Sequence, residues 1–178
     1  MISLQVLQFP DPRLKRVSIP VAQVDGNLCR LADQMLQLMY DEPGIGLAAP
    51  QVGEAIRLVV MDTEWNNEGS DRNPAVIVNP EILSREGEIV WEEGCLSVPD
   101  FTADVDRAEH ILVKYQNLEG KEVTEDLIGL RAVCLQHEID HLDGILFIDR
   151  ISRLKRSLYV KRRKKQLRQE EEPASLGS

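Results

Sequence analysis

Gln136-His137-Glu138-Ile139-Asp140-His141, preceded by Leu135 and followed by Leu142 and Gly144, is the stretch on which the reading of this chain turns. As a helix it sets His137 and His141 one turn apart on one face, where two imidazoles can hold one ion, with Glu138 beside the first as a proton carrier. Only three histidines occur in the chain, and two are here. Gly144 supplies a stop just past the last apolar residue.

Two imidazoles leave a catalytic ion short of its usual third protein ligand, so that ligand decides the chemistry. The run HExxHxxG would place a third histidine at 147, as in metzincin proteases, but the residue there is Phe147. Too little chain follows Gly144 for a thermolysin-like second subdomain. Upstream, the candidates are Cys95 and His110. Cys95 lies in Glu92-Glu93-Gly94-Cys95-Leu96-Ser97, where Gly94 permits a sharp backbone approach and Pro99 is expected to end a strand. His110 opens an apolar run and reads as a surface or structural residue. A thiolate beside two imidazoles makes a soft centre suited to zinc or ferrous iron.

Outward from this site, Asp25 can cap a helix with apolar residues at Leu28, Leu31, Met35 and Leu38, ending before Pro43-Gly44. Gly44-Ile45-Gly46-Leu47-Ala48-Ala49-Pro50-Gln51-Val52-Gly53 is too glycine-rich for helix and too apolar for a solvent loop, which predicts a tightly packed irregular segment. Strands are expected at Ile56 to Met61, Val76 to Val78, Glu88 to Trp91 and Ile111 to Tyr115. The metal-binding helix is expected from about Glu125 to Leu142, with acids in its first turn. A last helix, Ser152 to Gln169, carries sparse apolar positions at Leu154, Leu158 and Leu167 and is expected to project into solvent. The fold class that follows is α+β: a compact single domain with antiparallel or mixed sheets around a central metal-binding helix, plus a C-terminal helix. Its parts are a catalytic region over 1–150, a basic helix over 151–169 and a disordered tail over 170–178.

The formal charge is −9, unevenly placed: residues 150–178 hold ten Lys and Arg against three Glu, a balance of +7, which leaves −16 for residues 1–149. An acidic body argues against broad nucleic-acid binding, while the basic end can touch RNA locally. Cys29, Cys95 and Cys134 are odd in number and form no Cys-x-x-Cys pair, so neither a disulfide framework nor a four-thiolate zinc module is expected. No apolar run approaches membrane-spanning length and no basic leader precedes Pro10, so a cytoplasmic protein without a membrane role is expected.

Three segments together, Gly44 to Gln51, Glu93-Gly94-Cys95-Leu96-Ser97 and Gln136 to His141, resemble peptide deformylase, in family order and at family-like separations over roughly residues 4 to 155. The resemblance implies hydrolysis of the formyl group of formylmethionyl nascent chains. It implies Cys95, His137 and His141 as metal ligands with water as the fourth. It further implies ferrous iron as the physiological ion, nickel or cobalt as substitutes and zinc as a poor one. Glu138 would be general base and acid, with the Gln51 amide and the Leu96 N–H stabilising the oxyanion. Ile45, Trp91, Leu130, Val133 and Cys134 would surround the methionine side chain. Gly46 is expected to leave backbone groups open to an extended peptide, and Glu93 with Arg107 to steady the Cys95 segment. The basic helix resembles an extension that contacts the ribosome, and a monomer is expected. Two other readings stay open: a zinc endopeptidase, disfavoured by Phe147, and a metal-stabilised binding module, which gives Gln51 no task.

Overall fold

The structure is a computed structural model that describes residues 3–66 and 68–172. Asp25 opens the first helix as the sequence predicts: its carboxylate accepts the Leu28 N–H at 2.9 Å and α1 runs Gly26–Asp41. Seven strands follow: β1 Gly46–Ala48, β2 Leu58–Met61, β3 Ala75–Glu86, β4 Ile89–Cys95, β5 Val98–Arg107, β6 His110–Gln116 and β7 Glu122–Ile128. Two helices complete the chain, α2 Leu130–Leu142 and α3 Arg153–Glu171.

Five strands make one antiparallel sheet in the order β1-β2-β3-β6-β7, and β4 and β5 form a separate hairpin. Side chains alternate across a strand, so β2, apolar at every position, can feed two layers. Leu58 and Val60 pack on Met35 and Met39 of α1; Val59 and Met61 pack with Leu135, Ile139 and Leu142 of α2. The sheet is thus covered on opposite faces by the two helices. This is the expected α+β class, with α2 buried at the centre.

Five expectations require correction. The Glu125–Leu142 helix is a strand followed by a shorter helix: Glu125 pairs with Val113 and Asp126 with Leu112, Gly129 turns the chain at φ 63°, and α2 begins at Leu130. Pro99 does not end a strand; it is the second residue of β5, at the bulge between the Cys95–Val98 and Gly94–Thr102 pairs, where no ladder donor is needed. The segment expected to be irregular contains the edge strand β1 and a 3-10 turn, Ala49–Val52. The last helix does not stand off the body. Leu154 and Leu158 are exposed, but Tyr159 is buried against Phe9 and Phe101, and Arg163 is buried against the N-terminal segment. Residues 170 and 171, placed by the sequence reading in a tail, belong to this helix, and 173–178 lie outside the described residues.

Candidate metal centre

Every residue of α2 from Ala132 to Leu142 is buried, including Gln136, His137, Glu138, Asp140 and His141. A helix polar at such positions in a core needs a partner for each group, and the structure supplies most of them. Gln136 closes a reciprocal pair with the Ala108 backbone, 3.0 Å and 2.8 Å. Asp140 accepts from Arg107 at 2.6 Å and from Nε and Nη2 of Arg150 at 2.5 and 2.7 Å. Arg107 in turn forks onto Glu93 at 2.7 and 2.8 Å, and Glu93 accepts from His137 Nδ1 at 2.7 Å. The Glu93–Arg107 pair is therefore buried rather than superficial, and it touches a candidate ligand directly.

A carboxylate can only accept, so Nδ1 of His137 carries the proton and Nε2 keeps its lone pair. That Nε2 lies 3.2 Å from His141 Nε2, and His141 Nε2 lies 3.3 Å from Cys95 Sγ. Ligands of a tetrahedral ion, about 2.0 Å away for nitrogen and about 2.3 Å for sulfur, stand roughly 3.3–3.6 Å apart. Two of the three donor-to-donor distances thus match the edges of a coordination tetrahedron, and all three atoms lie within 4.8 Å of one another. Burial and the neighbouring His137 push the His141 pKa well down, so its imidazole is neutral, as a ligand must be. Burial opposes a charge on His137, but the nearby Cys95, Glu93 and Glu138 outweigh it and push its pKa well up, so positive charge is favoured where its ring meets these groups. The residues fit a divalent ion.

His110, the other candidate for the third ligand, opens β6 inside the sheet, bonded to Asp126 of β7 at 2.7 Å and close to Glu86 of β3. Phe147, at the metzincin position, lies beside the His137 ring and gives no ligand.

A cavity of about 380 Å³ opens beside the three donors. Gln51, Leu96, His137 and Glu138 line it, and so do Ile45, Gly46, Trp91, Leu130, Val133 and Cys134. Ile45 and Trp91 form its more exposed parts. Glu138 is buried with Oε2 unbonded among the described residues. Burial raises its pKa to about 7, partly opposed by His137. Gly46 is what admits it: a Cβ there would lie 2.6 Å from Glu138 Oε1 and 2.9 Å from Cys134 Sγ. Gln51 accepts the Ala48 N–H at 2.9 Å, which aims its amide group at Ser97 Oγ, 3.0 Å, and Cys95 Sγ, 3.6 Å. Sequence reasoning gave no role to Ser97, Asp140 or Arg150. For Asp140 the signal was present: an acid three residues after His137 falls on the helix face beside it.

The sequence model described as Polypeptide deformylase matches residues 3–157. A peptide deformylase of Alkalilimnicola ehrlichii is 53% identical over 169 residues, covering 95% of this chain and 93% of its own, and one of Rhizobium meliloti is 52% identical over 155 residues, covering 86% and 88%. Among solved structures, a peptide deformylase from Legionella pneumophila superimposes with TM-score 0.86 at 43% identity, covering 95% of this chain and 98% of that one. A peptide deformylase from Ehrlichia chaffeensis, in complex with actinonin, gives 0.86 at 37% identity over 93% and 98%. With half of the sequence shared along nearly the full length of such relatives, and with the same fold, the chain belongs to the polypeptide deformylase family and is an enzyme of the hydrolase class.

Proposed function

We propose that the protein hydrolyses the N-terminal formyl group of formylmethionyl nascent peptides, releasing formate and a free amine. The observation that carries the reading is the meeting of Cys95, His137 and His141, the first two lining a cavity that Glu138 and Gln51 also line. Cys95, His137 and His141 hold one divalent ion, ferrous iron in the cell, with nickel or cobalt able to replace it; a thiolate and two imidazoles suit such borderline metals. When bound, the ion supplies Lewis acidity, polarising the formyl oxygen and acidifying water.

The protein's own groups do the rest. Glu138 Oε2, unbonded and on a carboxyl near neutrality, takes the proton of the attacking water and returns it to the departing nitrogen. The Gln51 amide and the Leu96 N–H face the charge that grows on the formyl oxygen. Glu93 and Arg107 hold His137 in the tautomer a ligand needs. Ile45, Trp91, Leu130, Val133 and Cys134 enclose the methionine side chain. β1 ends the sheet, so its outer edge is open to an extended peptide read through backbone hydrogen bonds. This suits an enzyme that meets many different chains.

The polypeptide divides into a catalytic unit over 1–150 and a basic helix whose exposed lysines contact the ribosome, in the cytoplasm where nascent chains emerge. Anaerobically prepared, iron-loaded protein is expected to release formate from a formyl-Met peptide and to leave internal bonds intact. Internal cleavage, or no formate from protein shown to carry its metal, overturns the reading.

A further inference from the structure

Arg163 is 6% exposed, and its hydrogen bonds go to no carboxylate among the described residues. Nε donates to the Phe9 carbonyl at 2.9 Å and Nη2 to the Gln8 side-chain oxygen at 3.2 Å. Burying a guanidinium without a counter-charge is costly, so its position calls for an explanation. The explanation lies in what residues 7–9 hold. The Leu7 N–H donates to the Gln51 carbonyl and the Phe9 N–H to the Ser97 carbonyl, both at 2.7 Å. Ser97 Oγ accepts from Gln51 Nε2 at 3.0 Å, closing a loop of bonds. Residues 7–9 thus staple the turn bearing Gln51 to the turn bearing Leu96 and Ser97, two pieces of chain far apart in sequence. Arg163 grips the staple from its other side, and Tyr159, one turn earlier on α3, packs on the Phe9 ring at 5.9 Å.

We propose that Arg163 is a positioning residue for the hydrolysis, through Phe9 and Ser97 to the Gln51 amide, which makes the C-terminal helix a part of the catalytic architecture. The inference rests on the oxyanion role proposed for Gln51. A donor moved from its place is lost mainly in the transition state, so the effect falls on kcat.

The test is a double-mutant cycle in metal-loaded protein, with kcat, KM and metal content read for each variant. Arg163→Leu is expected to lower kcat about 10-fold, with KM within about twofold and metal content unchanged. In a Gln51→Ala background the same change is expected to lower kcat by less than about twofold, because the group it positions is gone. Equal losses in both backgrounds overturn the coupling while leaving the role of Gln51 intact. A Gln51→Ala variant with undiminished kcat instead overturns that role, and the coupling with it. Should Arg163→Leu fail to fold, Arg163→Lys keeps the cation and one donor: it is expected to restore kcat to within about threefold and to speed amide exchange at Phe9. Unchanged exchange at Phe9 overturns the proposal.

Discussion

At the scale of single residues, the proposed mechanism separates holding an ion from moving a proton. Glu138→Gln is isosteric and leaves Cys95, His137 and His141 in place, so metal content should stay full while kcat falls by about 10²–10⁴-fold. Cys95→Ala removes the one thiolate donor of the proposed site and should lose metal and activity together. Metal analysis beside formate release distinguishes the two. Gly46→Ala tests the close approach of β1 to α2: its Cβ would meet Glu138 Oε1 at 2.6 Å, so the carboxylate must move. The expected result is a kcat lowered at least about 10-fold with metal retained, since a misplaced base costs rate before it costs stability. Much of this centre was legible in the sequence, because helical spacing alone brings His137, Glu138 and His141 together. The contact of Cys95 with them was not, since a β-bulge and a separate hairpin bring its sulfur back across forty-odd residues; the residues alone left Cys95 and His110 as candidates, and the family resemblance chose Cys95. Ser97 gave no signal, for a serine hydroxyl facing a glutamine amide has no local pattern.

At the scale of elements, α2 is tied to the β4–β5 hairpin by charges that the core would otherwise reject. Burial alone would raise the pKa of Glu93, yet the fork from Arg107 and the bond from His137 outweigh it and hold the value near 2. A carboxyl depressed from 4.5 to about 2 contributes stability that is present above the unfolded value and lost as pH falls through the folded one. Chelator-treated protein should therefore lose unfolding free energy steeply from about pH 4.5 toward pH 2, as followed by denaturant titration. Glu93→Gln should be less stable at pH 7 by about 3–5 kcal/mol and show a shallower slope in that window, because Arg107 is left buried with one partner fewer. Elements escaped the sequence reading where partners outvoted local preference. Glu125 and Asp126 resemble the acidic first turn of a helix, but they are consecutive residues of β7 on opposite faces, Asp126 exposed and Glu125 half-buried with Tyr115 and Arg131 as partners, in a strand selected by pairing with β6. In β5, Pro99 and three aspartates mask the alternation of Ala103, Val105 and Arg107, all buried on one side.

At the scale of the whole molecule, the charge division takes on a spatial meaning once α3 is seen to be docked. The helix joins the body through Tyr159 and Arg163, and leaves Lys161, Lys164, Lys165 and Arg168 exposed on a molecule whose first 149 residues carry −16. Its apolar positions misled because Leu154 and Leu158 face outward; the buried anchors are an aromatic and a cation, neither of which a leucine count would choose. Cutting the chain after Ser157 would consequently confuse two effects, since it strips a buried ring from the core as well as charge from the surface. Substituting Gln at Lys161, Lys164, Lys165 and Arg168 removes only charge. Such a variant should keep its melting temperature and its kcat on a short formyl-Met peptide. If the exposed cations meet ribosomal RNA, its ribosome affinity should fall, and the slope of log affinity against log salt should shrink by about 3, since each phosphate contact contributes about 0.7–0.9. An unaltered slope would mean that the charges of α3 stay in water and that the helix serves the enzyme only through the residues it buries.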